Sequence, residues 1–242
     1  MEWPPHSGNT YNWVWGRTMS TEPTSSPPPV PPLRLVFWES TAECNLACAH
    51  CRRMETGPGL ARWNLSTAEM AAVIDDLGYN YPRTMLVFSG GEPLLRADVF
   101  SLAERARAAG LAASLATNGT LVTPELAARV AATGFSRVSV SLDGTRAETH
   151  DALRRIEGSF DQALRGLRLL RDAGQAVQIN MSVTRRNVGE VEAMFRLAEA
   201  ERAAALHVFI VVPVGCGAQL EESDRLSPPE YERFLHEFRR LS

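Results

Sequence analysis

The sequence predicts an α/β fold around a parallel sheet, and three features of the chain lead to this prediction. Apolar, strand-like runs alternate with amphipathic, helix-like segments six times from Leu33 onward. Several of the helix-like segments begin at recognisable capping residues. Strands that alternate with helices form parallel sheets with right-handed crossovers. Six units are too few for the closed eight-stranded barrel, so the residues alone allow an open doubly wound sheet or a partial barrel.

The predicted strands are the apolar runs. They cover residues 33–40, 84–89, 112–117, 136–142, 176–183 and 206–214. In parallel α/β folds the functional groups gather at the carboxyl ends of the strands. The loop that follows each run is therefore where chemistry is expected.

The first two predicted helices have clear boundaries. Ser66 and Glu69 form a capping box ahead of an apolar stripe that starts at Met70. A second stripe starts at Val99, and Gly110 ends that helix. Both stripes are interpreted as core contacts without a chemical role.

The later helices also begin at capping signals. Thr123–Pro124 pairs an N-cap with a first-turn proline. Ser159 with Gln162 is predicted to cap the next helix, and the stripe from Val191 marks the one after it. A final helix is predicted from the capping box at 227–230.

Composition and charge exclude several classes of function. The chain has 242 residues, is 45% hydrophobic and has a formal net charge of −3, so no electrostatic argument favours nucleic acid or an anionic membrane. The longest apolar run, 208–214, is too short to span a bilayer. The N-terminus lacks the basic-then-apolar order of a secretory signal, so a cytoplasmic location is expected.

Three segments are predicted along the chain. Residues 1–32 are rich in proline and are expected to be disordered, because such segments favour polyproline II and cannot build a packed core. Residues 33–215 are the predicted core domain. Residues 216–242 are interpreted as a linker and a C-terminal helix, where an extension could start.

A compact cysteine motif follows the first predicted strand. Cys44, Cys48 and Cys51 have the spacing Cys-x3-Cys-x2-Cys. Three thiolates can hold three corners of a four-iron cluster and leave the fourth iron open, and an open position is typical of catalytic metal centres. Zinc bound with His50 or a distant ligand is the alternative at this point. The fourth cysteine, Cys216, stands alone and is interpreted as a packed side chain.

The loops after the next three strands are polar. Gly90 and Gly91 would let a ligand approach the backbone closely, and Glu92 could accept hydrogen bonds from an ammonium group. The third loop contains Asn118 in a polar turn. The fourth contains the hydroxyl of Ser141 and the carboxylate of Asp143, and the basic residue Arg154 follows soon after.

In this order, one motif per strand end, the sequence resembles the radical S-adenosylmethionine (SAM) enzymes over residues 33–215. The resemblance implies a partial (β/α)6 TIM-like barrel. It implies that Cys44, Cys48 and Cys51 hold one [4Fe–4S] cluster. It also implies that SAM is bound by a set of residues at the strand ends: Gly90, Gly91 and Glu92 at the amino group, Ser141 and Asp143 near the ribose, Arg154 near the carboxylate, and Asn118.

The resemblance further implies an enzyme. The reduced cluster would cleave SAM to a 5′-deoxyadenosyl radical, which removes a hydrogen atom from the substrate, and no side-chain nucleophile or base is required. A flavodoxin or ferredoxin is the expected reductant. Zinc becomes improbable because it would leave the other loops unexplained.

The resemblance implies that the substrate is a small molecule or a peptide. Segments 87–96 and 150–161 are similar to enzymes that modify haem precursors, a branch that overlaps with enzymes that modify ribosomally made peptides. A cyclase of molybdenum-cofactor synthesis is a further possibility. Outside enzymes, the alternative is a truncated cluster-binding partner protein without turnover. A separate subunit could supply the C-terminal cysteine-rich region that this branch usually carries.

Overall fold

Six parallel strands form one sheet in the described part of the chain, in the order β1-β2-β3-β4-β5-β6. The structure is a computed structural model that describes residues 32–51, 64–212, 214–220 and 222–241. The expectation of disorder for 1–32 therefore falls almost wholly outside the described residues. The strands are β1 (Leu35–Thr41), β2 (Met85–Gly90), β3 (Ala112–Thr117), β4 (Arg137–Ser141), β5 (Val177–Val183) and β6 (Ala205–Ile210).

The helices of the described residues are α1 (Thr67–Asn80), α2 (Val99–Ala108), α3 (Pro124–Thr133), α4 (Ala147–Arg154), α5 (Ser159–Asp172), α6 (Val191–Ala200) and α7 (Pro228–Leu241). Single 3-10 turns cover Pro93–Leu95, Val188–Glu190, Gly215–Gln219 and Glu222–Asp224. No described helix has both the length and the apolar character needed to cross a membrane. Residues Leu33–Ser242 group into one unit by their contacts.

The strand order decides between the two architectures that the sequence left open. Each strand pairs with the next one in the chain, and the order never reverses as it does in a doubly wound sheet. Right-handed crossovers between successive strands then place the helices on one face of the sheet. The result is a singly wound sheet of the partial-barrel kind, as expected.

The two faces of the sheet differ in composition. The face toward the helices is mostly buried and apolar, with Leu86 and Phe88 of β2 packed in the core on the helix side. The alternate residues, such as Ser89 of β2 and Ser141 of β4, point to the other face and line a cavity. We call this second face the cavity face. Its side chains near the carboxyl ends of the strands line this cavity, whereas Ser114, Ser139 and Gln178, nearer the amino ends, are buried.

The sequence located most helices but missed one. Ser66 and Thr123 are N-caps as predicted, and the Ser66–Glu69 capping box is complete. Helix α4 was not predicted, because its eight residues carry a short polar-rich pattern that resembles a loop. This helix brings His150 and Arg154 under the end of β4.

The prediction that Ser159 caps α5 is wrong. The N-cap is Gly158, in the left-handed region at φ 77°, with no capping side chain of its own. The carboxylate of Asp151 on α4 caps the helix instead. It accepts hydrogen bonds from the Gly158 and Phe160 amides and from the Ser159 hydroxyl, at 2.6–2.8 Å. A cap supplied from another helix has no local sequence signal.

One close backbone approach fixes the loop after β3. A β-carbon on Gly166 of α5 would lie 2.1 Å from the carbonyl oxygen of Gly119. Gly119 itself has φ 78° and follows directly after Asn118. Helix α5 can support this loop only while residue 166 has no side chain.

We expect Gly166→Ala to lower the free energy of unfolding by about 1–3 kcal/mol, because the new methyl group overlaps backbone that cannot rotate away. Urea unfolding monitored by circular dichroism measures this. Gly189→Ala is the matched control, because no atom lies within 4 Å of the added carbon. Equal midpoints for the two variants would contradict the packing described for α5.

Candidate cofactor site at the carboxyl ends of the strands

A cavity of about 600 Å³ lies at the carboxyl ends of the strands, on the cavity face. Most of the residues predicted from the sequence line it: Cys44, Cys48, Cys51, Gly90, Gly91, Asn118, Ser141 and Arg154. Glu92 and Asp143 do not line it, and both are completely buried behind its wall. The structure therefore brings eight of the ten predicted residues to one cavity and places the other two as supports for them.

The cysteine loop is held by backbone contacts. The Ala49 amide donates to the Leu153 carbonyl at 2.8 Å, and the Gly217 amide donates to the Cys51 carbonyl at 3.0 Å. Leu46 and Ala49 are buried and anchor the loop from within. All three thiols are free and half-buried at the cavity wall. One short segment of the chain thus places three sulfur atoms at the wall of the same cavity.

Burial controls the ionisation of two of these thiols. It raises the pKa of Cys44, and it also raises the pKa of Cys48, where the nearby Arg154 guanidinium offsets part of the effect. Such thiols are deprotonated by the cation that they bind. The donor set consists of thiols alone, which suits an iron–sulfur cluster. Among the described residues, no three His, Cys, Asp or Glu side chains converge as they would around a single metal ion.

Glu92 ties the ends of β2 and β3 together. Its carboxylate accepts hydrogen bonds from the Thr117 hydroxyl and the Asn118 amide, both at 2.8 Å, and from the Leu94 amide at 3.1 Å. Burial raises the pKa of this carboxyl, and the three donors act in the opposite direction. Both carboxylate oxygens of Glu92 thus accept hydrogen bonds from the protein itself. The sequence predicted a contact with a ligand, and that contact stays a prediction.

Asn118 links the third loop to the cysteine loop. Its side-chain amide donates to Asn45 Oδ1 at 2.8 Å and lies 4.0 Å from Cys44 Sγ. Its carbonyl oxygen accepts from the amide and the hydroxyl of Thr120. Asn45 in turn donates to the Thr120 hydroxyl at 2.8 Å. This network fixes the position of the cysteine loop relative to the carboxyl end of β3.

Asp143 and Arg154 form the buried centre of the site. Arg154 Nε lies 2.7 Å from Asp143 Oδ2, and Arg154 Nη1 lies 3.6 Å from Cys48 Sγ. His50 Nε2 lies 3.2 Å from the same carboxylate oxygen. Although burial opposes ionisation, Arg154 and His50 hold the pKa of Asp143 below its usual range. Burial likewise opposes the charge on Arg154, but Asp143 and Cys48 raise its pKa overall.

His150 completes this cluster as a neutral ring. The Asp143 amide donates to His150 Nδ1 at 3.0 Å, so this nitrogen must carry no proton. Burial, followed by the charge of Arg154, lowers the pKa of His150 to about 4. The sequence analysis named the segment around His150 but gave the residue no role.

Sequence reasoning missed two residues of the cavity wall. Asn180 and Ser182 of β5 both line the cavity, and the Ser182 amide donates to Asp143 Oδ1 at 2.8 Å. The sequence of β5 does contain a pattern that indicates a polar face on this strand. A strand that is covered on both faces normally reads as a continuous apolar run, whereas β5 alternates polar and apolar residues.

Comparison with known proteins places the chain among related sequences. Residues 38–198 match the model of the Radical SAM superfamily. The chain is 46% identical over 205 residues to the AdoMet-dependent heme synthase of Methanosarcina barkeri, covering 85% of this chain and 57% of the relative. It is 40% identical over 190 residues to mycofactocin maturase MftC of Mycobacterium tuberculosis, covering 76% and 46%. The chain thus spans about half the length of the curated relatives it matches.

Solved structures agree on the fold. The structure of anSMEcpe with bound AdoMet superposes with a TM-score of 0.71 at 22% identity, covering 87% of this chain and 58% of that one. Coproporphyrinogen III oxidase (HemN) from Escherichia coli gives 0.64 at 15% identity, covering 86% and 52%. At these identities the likeness concerns the fold alone.

We expect Glu92→Gln to lower the free energy of unfolding by about 1–3 kcal/mol, because the new amide group faces a backbone N–H and leaves one buried donor unpaired. Thermal unfolding by differential scanning calorimetry measures the loss. Glu157→Gln is the control on an exposed residue, with an expected change within about 0.5 kcal/mol. A Glu92 variant as stable as the control would show that the clasp between β2 and β3 is dispensable.

His150 should make stability fall in acid. Its pKa is about 4 in the folded chain and about 6.5 when unfolded, so the unfolded chain binds the extra proton between these values. This contribution is complete above pH 6.5 and is lost as the pH falls toward 4. Between pH 7.5 and 5 we expect it to cost roughly 2 kcal/mol.

His150→Asn tests this contribution, since an amide oxygen can accept from the Asp143 amide without titrating. Urea unfolding of both proteins at pH 7.5, 6.5 and 5 compares the two slopes. The variant should lose less stability than the wild type on acidification. Parallel pH dependences would assign the acid sensitivity to other groups.

Proposed function

The chain belongs to the radical SAM superfamily, and on this premise we propose that it binds one [4Fe–4S] cluster and SAM and uses them to remove a hydrogen atom from a haem or tetrapyrrole precursor. When bound, the cluster and SAM would supply a 5′-deoxyadenosyl radical. The observation that carries the proposal is the convergence of three half-buried thiols with the loops after β2, β3 and β4 on one cavity of about 600 Å³. The similarity to named heme synthases supports this substrate class.

Each element of the chain has a defined part in this proposal. Cys44, Cys48 and Cys51 would hold the cluster. Gly90 and Gly91 leave the floor beside it free of side chains, which would let the polar end of SAM approach the backbone. The hydroxyl of Ser141 lines the same cavity and is available to the nucleoside part. The side chain of Asn118 also lines it but is bonded to Asn45 and Thr120, so Asn118 would act by holding its loop in position.

Arg154 would act on both bound groups. Its Nη1 is 3.6 Å from Cys48 Sγ, and its guanidinium lines the cavity where a carboxylate of SAM would lie. Asp143 fixes its orientation from behind through the 2.7 Å ion pair. Glu92, held by three donors, would act by keeping the β2 and β3 loops in position as well as by any direct contact.

A peptide substrate is the second candidate. It is favoured by the 40% identity to mycofactocin maturase MftC, which is named as a maturase. A cluster-binding partner without turnover is the third, and the experiment below separates it from an enzyme. The reductant would be a small electron-transfer protein such as a flavodoxin or ferredoxin.

Anaerobic reconstitution of the full chain should give about four irons per chain, and SAM with dithionite should then yield 5′-deoxyadenosine. Stoichiometric zinc without iron would overturn the cluster assignment. A loaded cluster that yields no 5′-deoxyadenosine would favour the partner protein. Release of the nucleoside only on addition of a peptide would favour the second candidate.

Cys48→Ala should lose both the iron and the 5′-deoxyadenosine, because a cluster with one missing thiolate is not retained. Iron analysis, the visible absorption of the cluster and chromatography of the nucleoside measure this. Cys216→Ala is the control and should keep both properties. Loss of iron in the Cys216 variant would refute the assignment of the three-cysteine site.

A further inference from the structure

One of the two residues expected near the ribose of SAM is not available to a ligand. The sequence predicts Ser141 and Asp143 at this place, but Asp143 is fully buried and does not line the cavity. Its Oδ1 accepts a hydrogen bond from the Ser182 amide at 2.8 Å, and its Oδ2 lies 2.7 Å from Arg154 Nε. A sugar with two adjacent hydroxyl groups therefore needs another polar side chain beside Ser141.

Asn180 of β5 occupies the position beside Ser141. The two residues are partners in the register of β4 and β5, so both point to the cavity face, and both line the cavity. Neighbouring strands lie about 4.8 Å apart, which lets two such side chains reach adjacent groups of one ligand. Asn180 is half-buried, and within the described part of the chain its Nδ2 group donates to no other residue. Its N–H donors are thus free for a ligand.

Two residues nearer the amino ends of the strands decide which end of the Asn180 amide faces the cavity. Gln178 Nε2 donates to Asn180 Oδ1 at 2.7 Å, and Arg137 Nη1 donates to Gln178 Oε1 at 3.4 Å. A guanidinium has N–H donors and no acceptor, so Gln178 must present its oxygen to Arg137 and its NH2 group to Asn180. Asn180 then accepts through its oxygen, and its own NH2 group remains for the cavity.

Burial keeps this arrangement from reversing. Gln178 is 6% exposed, so water does not offer its amide group an alternative partner. A reversed Gln178 would place its NH2 group against the guanidinium and leave a buried donor unpaired, which is costly. A reversed Asn180 would likewise place two NH2 groups against each other. The direction of these hydrogen bonds is thus set by Arg137, which itself lies outside the cavity.

We propose that Arg137 and Gln178 are positioning residues that hold the Asn180 amide as a hydrogen-bond donor toward the cavity, where it binds a ribose hydroxyl of SAM beside Ser141. This inference rests on the proposed function for the identity of the ligand. The hydroxyl accepts from Asn180 and keeps its own proton for another acceptor. Arg137 and Gln178 touch no ligand in this arrangement and act only through Asn180.

The test uses SAM and two analogues in which fluorine replaces either the 2′- or the 3′-hydroxyl group. A C–F group cannot donate a hydrogen bond, so the analogues report whether a hydroxyl has to act as a donor. Binding to the cluster-loaded full chain is measured by equilibrium dialysis without reductant, so that SAM is not cleaved. The quantity compared between variants is the ratio of the dissociation constants of each analogue and SAM.

Gln178→Glu should reverse the Asn180 amide. An ionised carboxylate only accepts, so it would take hydrogen bonds from Arg137 and from the NH2 group of Asn180 and turn the Asn180 oxygen toward the cavity. The ribose hydroxyl must then donate, which fluorine cannot do. We expect the ratio for one of the two analogues to rise by about 5- to 15-fold over the wild type. Gln162→Glu, on α5 and outside the cavity, is the matched control and should keep the wild-type ratios.

Asn180→Ala removes the contact itself and should weaken SAM binding by about 5- to 15-fold. Thermal melting by circular dichroism and iron analysis show whether each variant is folded and loaded. The inference alone is overturned if the wild type binds SAM and Gln178→Glu leaves the ratios of both analogues unchanged, or if Asn180→Ala binds SAM as tightly as the wild type. Failure of the cluster-loaded wild type to bind SAM would overturn the proposed function together with this inference.

Discussion

The site depends on one buried ion pair, between Asp143 and Arg154. It joins the end of β4 to the end of α4, and through Arg154 it reaches Cys48. Two charges inside a protein are stable only when they are paired and further hydrogen-bonded. Here the Ser182 amide donates to the other oxygen of Asp143, and Asn187 donates to its backbone carbonyl at 2.6 Å. Removing either charge would leave its partner uncompensated beneath the cysteine loop.

The remaining supports of the cavity follow the same pattern, in which one loop is held by the polar groups of another. Glu92 holds the loop after β3, Asn118 and Asn45 hold the cysteine loop, and Asp151 caps α5 from α4. Each of these contacts lies at the carboxyl end of the sheet. The strands themselves contribute an apolar core on the helix side, and residues near their carboxyl ends line the cavity on the other face. Rigidity is thus concentrated where ligand-binding backbone must keep its position.

Six singly wound strands leave one face of the sheet open at their carboxyl ends, where the cavity lies. A closed barrel would fill this space with side chains, whereas six singly wound strands leave both β1 and β6 with aromatic residues exposed on that face. The cluster and SAM would occupy the end near the cysteine loop.

The sequence by itself determined the alternation of strands and helices, most helix starts and the cysteine motif. These are encoded locally, in apolar periodicity, in capping residues and in short spacings such as 44–48–51. Eight of the ten candidate residues line one cavity, since the ends of parallel strands meet at one edge. Tertiary structure alone decided that Glu92 and Asp143 stand behind the wall and that Asp151 caps α5 from another helix. Each of these features depends on contacts between residues that only the folded chain brings together. A carboxylate that supports a site has the same local sequence pattern as one that binds a ligand, so the sequence cannot distinguish the two roles.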